Sequence, residues 1–454
     1  MDEFAPGRTV LVCGAGLAGR TAARALLDRG ARVLVADRVE SDATAALAAQ
    51  GARYIGSPPS VPDGVSLVVT SPGWRPDAPL LRDAASRGLA VLGEVEFAWR
   101  LRGPGAAPWL AVTGTNGKTT TVRMLESILR AAGHDALAVG NVGVPVIEAV
   151  ASGGHDVLAV EVSSFQLHWS STFAPAAAAL LNLAPDHLDW HGSMAAYAAA
   201  KALIWRGPVA IGNADDAGVE RLLAAAAAPR KVRFTLAGPG PGELGVRDGV
   251  LLDAAFAHAP VPLLPAVDVR PSGDHNVADA LAAAALARSF GVPAEAVAAG
   301  LRSFVPDPHR NQFVVSSGGI DWVDDSKATN PHAARASLLA YPSVVWLAGG
   351  QLKGAPVEEL VAEVARRLRA VVLLGQDRAE IAAALRRHAP DVPVIDVVRT
   401  DDGAMSEAVR AAAGCARPGD TVLLAPAAAS YDMFSGYSAR GAAFAAAARA
   451  LPHP

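Results

Sequence analysis

The residues of this chain best suited to chemistry lie in the run Ala111–Thr121, AVTGTNGKTTT. Apolar residues precede it from Trp109, as in a buried strand, and apolar residues follow at helical spacing: Val122, Leu125, Ile128 and Leu129. A glycine-containing turn between a strand and a helix N-terminus is the usual setting of a phosphate-binding loop. The strict pattern has glycine six residues before Lys118, where this chain has Val112. The alternative is a glycine-rich turn with an exposed lysine.

Four residues of this loop have distinct roles in binding phosphate and Mg²⁺. Gly114 and Gly117 allow backbone amides to approach phosphates, Lys118 adds a positive charge, and the Thr119 hydroxyl suits Mg²⁺. We therefore predict an ATP and Mg²⁺ site. Its residues are Gly114, Thr115, Asn116, Gly117, Lys118, Thr119 and Thr120.

Further candidates follow the next two predicted strands, Val157–Val162 and Ala178–Leu183. Glu161 lies at the carboxyl end of the first strand, where parallel sheets present ligands, and is either a Mg²⁺ ligand or a capping carboxylate. A cluster after the second strand, either functional or a solvated turn, contains Asp186, His187, Asp189 and His191. Lys201 lies on an alanine-rich helix, a setting typical of a solvated surface charge.

A third group lies near the C-terminus, again after predicted strands. The segment WVDDSKATNP places Asp324, Asp325, Lys327 and Thr329 between a strand and a helix that starts at Pro331. The segments GGQLKG, residues 349–354, and APAAASYDMF, residues 425–434, also follow strands. Ser430 in the last segment can cap a turn or bind a carboxylate, and the residue alone does not decide between these roles.

A second glycine motif, GAGLAG, opens the chain after an apolar strand. Gly14, Gly16 and Gly19 are followed by a helix and by a strand that ends at Asp37, which is the dinucleotide-type fingerprint of a βαβ unit. On its own this unit suits NAD(P) or flavin, a nucleotide sugar or another phosphate ligand, or a structural turn. Because the later loop supplies an ATP site, the first unit is available for a different ligand.

The elements that position these residues form repeated strand–helix units along 454 residues, too many for one core. Two proline-containing segments, residues 102–108 and VPDPHRNQ, mark two domain boundaries. We predict three consecutive α/β domains: 1–105 and 306–454 Rossmann-like, and 106–305 a P-loop ATPase-like domain. Within the central domain, residues 236–253 predict a β-hairpin.

Charge and composition exclude several classes of partner. A net charge of −4 gives no electrostatic basis for binding nucleic acid or an anionic membrane. Two cysteines provide neither a disulfide framework nor a cysteine metal site, and no basic or apolar leader opens the chain. We expect a soluble, cytoplasmic protein with small-molecule substrates, acting as a monomer.

In order along essentially the whole chain, these motifs resemble the Mur ligase family. They are GAGLAG, SPG at 71–73, GEVEF at 93–97, TGTNGKTT, GNVG at 140–143, EVSSFQL, DHLD, the lysine of AAAK, DHN at 274–276, PHR at 308–310, DDSKATNP, GGQLKG and SYDMF. The string DSKATN resembles the members that add glutamate rather than a diamino acid. Two positions depart from the family pattern, Ala18 and Asp279.

The resemblance implies an ATP-dependent ligase that adds D-glutamate to UDP-N-acetylmuramoyl-L-alanine through an acyl phosphate, in peptidoglycan precursor synthesis. The alternatives are another Mur-type ligase, folylpolyglutamate synthase or, least favoured, an NAD(P)-dependent oxidoreductase. The implied catalytic residues are Lys118, His187 and Lys201, and Lys201 is implied to be carbamylated.

The resemblance also implies ligands for each substrate. The implied UDP-sugar contacts are Leu17, Ala18, Asp37, Arg38, Gly73 and Asn141. Asn276, Arg310 and Asp325 are implied to hold ATP together with the glycine loop. The implied amino-acid contacts are Lys327, Thr329, Lys353, Ser430 and Tyr437. The implied Mg²⁺ ligands are Thr119, Glu161, His187 and Lys201.

Overall fold

The strands of a computed structural model, which describes residues 4–451, form three sheets. Most neighbouring strands are parallel and are connected through helices, which bury both faces of each sheet. The prediction of consecutive α/β domains is therefore confirmed. The boundaries near residues 105 and 305 stay predictions.

The first sheet is entirely parallel and has the order β3-β2-β1-β4-β5. Its strands are β1 Thr9–Cys13, β2 Arg32–Ala36, β3 Arg53–Tyr54, β4 Val65–Thr70 and β5 Val91–Gly93. The helices are α1 Leu17–Leu27, α2 Asp42–Ala49, α3 Pro79–Ser86 and α4 Glu94–Leu101. The glycine fingerprint joins β1 to α1, as predicted.

The central sheet has the order β14-β13-β12-β11-β10-β9-β6-β8-β7. Its strands are β6 Trp109–Thr113, β7 Ala136–Gly140, β8 Val157–Glu161, β9 Ala177–Leu180, β10 Val209–Asn213, β11 Arg230–Phe234, β12 Glu243–Arg247, β13 Val250–Asp253 and β14 Val261–Pro265. β6, which leads into the phosphate-binding loop, pairs with β8 on one side and β9 on the other. The loops after these three strands therefore meet at one edge of the sheet.

The helices of this middle part of the chain are α5 Lys118–Ala131, α6 Val146–Ser152, α7 Ser164–His168, α8 Leu188–His191, α9 Met194–Ala202, α10 Ala217–Ala225, α11 Asp274–Ser289 and α12 Ala294–Ser303. In α5, the four apolar residues predicted to form one face are all fully buried. The hairpin predicted within residues 236–253 is confirmed as the antiparallel pair β12 and β13.

The third sheet has the order β15-β16-β20-β17-β18-β19. Its strands are β15 Gln312–Ser317, β16 Ile320–Asp324, β17 Val344–Ala348, β18 Leu368–Leu373, β19 Val394–Asp396 and β20 Thr421–Leu424. The helices are α13 Pro331–Leu339, α14 Glu358–Val364, α15 Arg378–His388, α16 Ala404–Cys415 and α17 Tyr437–Arg449. β15 is an antiparallel edge strand, whereas the other neighbours run parallel.

The chain divides into two compact units. The first unit comprises the chain up to Ala266 together with Ala278–Ser303, and it contains the first and central sheets. The second unit comprises Val267–Val277 and the chain from Phe304 onwards, and it contains the third sheet. No helix within residues 4–451 is long and apolar enough to span a membrane.

Several predicted boundaries were wrong by a few residues. α5 begins at Lys118 rather than at Thr121, because Gly117, with φ of +82°, ends the loop directly before it. The strand predicted over Ala178–Leu183 already ends at Leu180, because Asn182 turns to bind the glycine loop. β10 and β11 were not predicted, since their short apolar segments are interrupted by glycine or charged residues.

Candidate active site

The phosphate-binding loop lies between β6 and α5, as the glycine spacing predicts. Lys118 folds back over the loop, and its Nζ donates hydrogen bonds to the carbonyl oxygens of Gly114 and Thr115, each at 2.9 Å. Gly117 has a positive φ, and a Cβ at this position would overlap the carboxylate of Asp279. Only glycine meets both requirements. Asp279, one of the two departures from the family pattern, therefore packs directly on the loop.

Neighbouring segments hold the rest of the loop in place. The Asn116 backbone amide donates to Oδ1 of Asn182 at 2.9 Å. The Thr115 hydroxyl is buried and lies 3.0 Å from the Tyr197 hydroxyl, and it also accepts from the Ala184 amide at 3.0 Å. The side chains of Thr115 and Asn182 thus fix the shape of the loop, and the helix N-terminus that begins at Lys118 is the part that can meet phosphate.

Glu161 lies beside the loop at the end of β8, and its carboxylate is 1% exposed. Oε2 accepts a hydrogen bond from the Thr119 hydroxyl at 2.8 Å, and Oε1 accepts from Asn141 Nδ2 at 2.8 Å. Both donors are side chains, whereas a capping carboxylate would accept from backbone amides at a helix N-terminus. A carboxylate joined to a hydroxyl provides oxygen donors, which fit Mg²⁺.

Lys201 is buried, whereas its alanine-rich helix predicted a solvated surface charge. Its side chain is 1% exposed rather than solvated, and Nζ donates to Gly114 O at 2.7 Å and to Thr113 Oγ1 at 3.4 Å. The amine also lies 4.7 Å from the centre of the Tyr197 ring. Burial and, after it, the charge of Lys118 lower the pKa of Lys201 well below its usual value of 10.5.

His187 begins the turn that leads into α8, with φ of +53°. Its Nε2 lies 3.4 Å from a carboxylate oxygen of Asp186, and its ring centre lies 4.7 Å from that of Phe165. Burial lowers the pKa of His187, and the positive charges of Lys118 and Lys201 add to this effect against the opposing charge of Asp186. A neutral imidazole in reach of solvent is suited to bind a metal ion.

Residues 4–451 hold no group of three or more histidine, cysteine, aspartate or glutamate side chains arranged around a metal position. A metal site here would have to combine one carboxylate, one imidazole and one hydroxyl. Glu161, His187 and Thr119 provide that mixed donor set, which is compatible with the hard, partly hydrated Mg²⁺ ion.

The first glycine motif forms a tight turn below α1. A Cβ on Gly19 would overlap the carbonyl oxygen of Gly14, so the helix packs directly on the end of β1. Leu17 is 54% exposed in the first turn of α1, where backbone amides have no helical partner. These features suit the binding of a diphosphate.

Asp37 directly follows β2, beside this motif. Its Oδ2 accepts from the Ala15 amide at 2.6 Å, and Oδ1 accepts from the Arg38 amide at 2.6 Å. The carboxylate thus supports the turn. The implied roles of Asp37, Arg38, Gly73 and Ala18 toward UDP stay predictions.

In the second unit, four of the predicted amino-acid contacts lie on loops that follow β16, β17 and β20, and the fifth, Tyr437, is the first residue of α17. Lys327 Nζ lies 4.0 Å from the centre of the Tyr437 ring. Ser430 is 2% exposed, and its hydroxyl has no hydrogen-bond partner. Lys353 has φ of +54°, which turns the chain sharply in the loop after β17. A buried hydroxyl without a partner and two lysines are suited to a ligand with carboxylates.

The second unit also contains the residues implied to hold ATP from outside the glycine loop. Asp325 is buried, and it accepts hydrogen bonds from the Ser337 hydroxyl and from the Asn311 amide. Burial raises the pKa of Asp325 to about 6. Asn276 Nδ2 donates to Ser272 O at 3.0 Å. The roles of Asn276, Asp325 and Arg310 toward the nucleotide stay predictions.

Arg440, in α17, is a residue that the motif-based predictions missed. Its guanidinium is buried and donates to Ser326 Oγ at 3.0 Å, Ser326 O at 2.9 Å, Ala428 O at 3.0 Å and Gly349 O at 3.4 Å. One side chain thus joins the three loops that carry Lys327, Lys353 and Ser430. A sequence signal existed, because Arg440 is in helical phase with the buried residues Phe444 and Ala448.

His309 was also missed, although it lies within the PHR motif. Its Nδ1 lies 2.6 Å from Oδ2 of Asp324, and its backbone carbonyl accepts from the Lys327 amide at 3.2 Å. His309 has φ of +66°, and a Cβ on Gly441 would overlap its ring. His309 therefore helps to shape the loop that carries Lys327.

Three family models match parts of this chain. A model of the Mur ligase middle domain matches residues 112–287, and a model of the Mur ligase glutamate ligase domain matches residues 309–428. A model of an FAD binding domain matches residues 9–70, the segment that contains the first glycine motif.

Curated relatives match nearly the whole chain. The UDP-N-acetylmuramoylalanine--D-glutamate ligase of Thermobifida fusca is 58% identical, with 98% of this chain and 99% of that protein covered. The protein of the same name from Streptomyces avermitilis is 54% identical, with 98% of each covered.

Solved structures of lower identity are similar in fold. UDP-N-acetylmuramate-alanine ligase MurC from Thermotoga maritima is 20% identical, with a TM-score of 0.56, covering 92% of this chain and 95% of that chain. MurF from Acinetobacter baumannii is 22% identical, with a TM-score of 0.58 and 87% of each chain covered. At these identities the similarity concerns the fold alone.

Proposed function

The chain belongs to the Mur ligase family, and from this premise we propose that it is the ATP-dependent ligase that adds D-glutamate to UDP-N-acetylmuramoyl-L-alanine. The observation that carries the proposal is the near-complete match, at 58% identity, to a ligase of that name. The cluster of Lys118, Thr119, Glu161 and Lys201 at one sheet edge supplies the matching chemistry. The product is a peptidoglycan precursor.

The reaction divides into two displacements. A carboxylate oxygen of the nucleotide sugar attacks the γ-phosphorus of ATP, and the bond to ADP breaks, which leaves an acyl phosphate. The glutamate amine then attacks the acyl carbon, a tetrahedral intermediate collapses, phosphate leaves, and the amine proton passes to solvent. Such chemistry depends mainly on positioning and on neutralising phosphate charge.

Residues of this chain contribute both to positioning the substrates and to neutralising phosphate charge. The first backbone amides of α5 would meet the phosphates, and the Lys118 ammonium would exchange its contacts with the carbonyls of Gly114 and Thr115 for contacts with phosphate oxygens. When bound, Mg²⁺ supplies a positive charge that neutralises the oxygens of the transferred phosphoryl group. Thr119, Glu161 and His187 would hold it, and their hydroxyl, carboxylate and imidazole suit this ion.

We also propose that Lys201 is carbamylated. A neutral amine adds to dissolved CO₂, the nitrogen–carbon bond forms, and a proton passes to solvent, leaving an anion with two oxygens. Burial beside Lys118 favours the uncharged amine, because a second ammonium there would be desolvated and repelled. The resulting carbamate would neutralise charge near His187 and provide oxygen donors for Mg²⁺.

The first sheet is proposed to bind UDP rather than NAD(P) or FAD, although an FAD binding domain model matches residues 9–70. The support is the separate ATP loop in the same unit together with the exposed first turn of α1 at Leu17. Titration calorimetry decides this point. Tight binding of NADPH or FAD, with no binding of UDP-N-acetylmuramoyl-L-alanine, would contradict the assignment.

The incoming amine is proposed to be D-glutamate, bound by Lys327, Thr329, Lys353, Ser430 and Tyr437. Incubation with ATP, UDP-N-acetylmuramoyl-L-alanine and a panel of amino acids tests this through phosphate release. Greater release with L-glutamate or a diamino acid would refute the specific substrate while leaving an ATP-dependent ligase. We further propose that the enzyme acts as a monomer in the cytoplasm, which light scattering and cell fractionation can test.

A further inference from the structure

Glu96, on α4, has a fully buried carboxylate, and none of its hydrogen bonds goes to a residue that is predicted to bind a ligand. It is instead surrounded by the segment Ser171–Phe173, which joins α7 to β9 of the central sheet. α4 itself follows β5, an edge strand of the first sheet. Glu96 therefore connects the helix that follows the first sheet to a segment that leads into the central sheet, both within the first unit.

Both oxygens of this carboxylate accept several hydrogen bonds. Oε2 accepts from the backbone amides of Ser171 at 3.0 Å and Phe173 at 3.1 Å, while Thr172 N lies 3.0 Å from Oε1 and 3.1 Å from Oε2. The hydroxyls of Thr172 and Ser171 donate to Oε1 at 2.7 and 3.1 Å, and Arg100 Nε donates at 2.7 Å. Consecutive amides around one anion form a nest, and such charge-assisted bonds are strong.

The nest stabilises the ionised form of the Glu96 carboxyl group. Burial, the largest influence, acts to raise the pKa of Glu96, but the hydrogen bonds from Thr172 and Arg100 outweigh it and the pKa is lowered. A carboxylate that binds protons less readily in the folded protein than in a peptide has partners that favour its charge.

Short chain segments join this nest to both proposed substrate sites. Toward ATP, the segment is preceded by α7, which begins at Ser164 shortly after Glu161. Toward the nucleotide sugar, the Gly93 amide donates to Trp169 O at 3.1 Å, and Gly93 is paired with Thr70 at the end of β4, just before Gly73. The hydrogen bonds of Glu96 thus fasten α4, which directly follows β5 and Gly93, to the segment between α7 and β9.

We propose that Glu96 is a positioning residue that sets the distance between the nucleotide-sugar site and the ATP site. This inference rests on the proposed function for the identity of the two ligands. The two glycine motifs lie on different sheets, after β1 and after β6, and no hydrogen bond of Glu96 reaches either motif, so we expect both ligands to bind without it. Transfer between the ligands does need it, because a misplacement of about 1 Å can reduce the rate of a displacement ~100-fold.

The test compares Glu96→Gln with the matched control Glu148→Gln on the exposed face of α6. Glutamine keeps the size of the side chain but replaces one acceptor oxygen with an NH₂ that faces amide donors. We expect calorimetric affinities for ADP and for UDP-N-acetylmuramoyl-L-alanine within about 2-fold of the parent. Acyl phosphate formation, measured without glutamate by hydroxylamine trapping, should slow roughly 10- to 100-fold in Glu96→Gln alone.

A second measurement does not depend on catalysis. Spin labels at Ala49→Cys in α2 and Ala225→Cys in α10, both exposed positions, report the distance between the two sheets in a Cys415→Ser background. We expect one narrow distance distribution in the parent and a broader or shifted one in Glu96→Gln. An unchanged distribution, or normal acyl phosphate formation in a variant with a lowered melting temperature, would overturn the positioning role.

The two measurements also separate this inference from the proposed function. A parent enzyme that forms no acyl phosphate, with a spin-label distribution that still broadens in Glu96→Gln, refutes the proposed substrates and leaves Glu96 as the residue that fixes the sheets. A parent that ligates D-glutamate with an unchanged distribution in Glu96→Gln refutes the inference and leaves the function.

Discussion

The Nζ atom of Lys201 lies 2.7 Å from the carbonyl oxygen of Gly114, so a lysine from a distant helix touches the first glycine of the phosphate-binding loop. The same carbonyl accepts from Lys118 Nζ at 2.9 Å. Two amines that share one acceptor cannot both remain ammonium ions without a cost from repulsion and desolvation. Conversion of one of them into a carbamate removes this conflict.

Lys201→Ala should therefore reduce ligation at least ~100-fold, equivalent to about 3 kcal/mol in the activation free energy. Acetate should restore part of the activity, because its carboxylate can occupy the space of the carbamate, whereas Lys201→Arg should gain nothing from acetate. Phosphate release is the measurement, and Lys231→Ala on β11 is the control. Near-normal turnover of Lys201→Ala, or no carbamate signal from ¹³C-bicarbonate by NMR, would contradict the proposal.

Arg440→Lys should raise the KM for D-glutamate about 10-fold or more while the KM for ATP stays within about 2-fold. A lysine keeps the positive charge but cannot reach Ser326, Ala428 and Gly349 together, so the three loops lose their common connection. Steady-state kinetics and acyl phosphate trapping without glutamate separate these effects. Arg449→Lys, at an exposed position of the same helix, is the control. Equal changes in all three substrate KM values would argue for general disruption of the unit.

Asp279→Asn should lower the KM for ATP several-fold. The Asp279 carboxylate packs against Gly117, and a negative charge near bound phosphates opposes their binding by about 1 kcal/mol even where water screens the two charges. Asparagine has nearly the same shape, removes the charge and replaces one acceptor oxygen with an NH₂ group. Because salt screens charge repulsion, the difference between the two proteins should shrink as KCl rises. A higher KM in the variant would show instead that the carboxylate assists nucleotide binding.

Glu94 predicts a pH dependence of stability. Burial raises its pKa to about 7, above the ordinary 4.5, despite hydrogen bonds from the Ile147 amide and Gln166. The folded protein therefore holds this proton more tightly than the unfolded chain does. The corresponding stabilisation is complete below pH 4.5 and is lost as the pH rises through about 7, a change of about 3 kcal/mol.

The measurement for Glu94 is the melting temperature of the parent protein and of Glu94→Gln between pH 5 and pH 8. Glutamine cannot ionise, so the variant should gain stability relative to the parent across this range. A difference between the two proteins that does not change with pH would contradict the raised pKa.

The sequence alone determined the local elements and their chemistry. The strand, glycine turn and helix around Lys118 were predictable because apolar periodicity and glycine position depend on neighbours in the chain. The hairpin β12–β13 and much of the order of strands and helices were predictable for the same reason, whereas β10 and β11 were not. The motif order was sufficient for the family, since many short matches in sequence are improbable together.

Only the tertiary structure decided which distant residues meet and which of them are buried. The alanine-rich helix around Lys201 predicted a surface lysine, and only the family resemblance implied a role for it, while Arg440 was one arginine in another alanine-rich helix. Asp279 lies against Gly117, and Glu96 lies in the nest of Ser171–Phe173, through contacts far apart in the chain. Burial and charge pairing arise from the packing of whole sheets, and local sequence patterns carry no information about them.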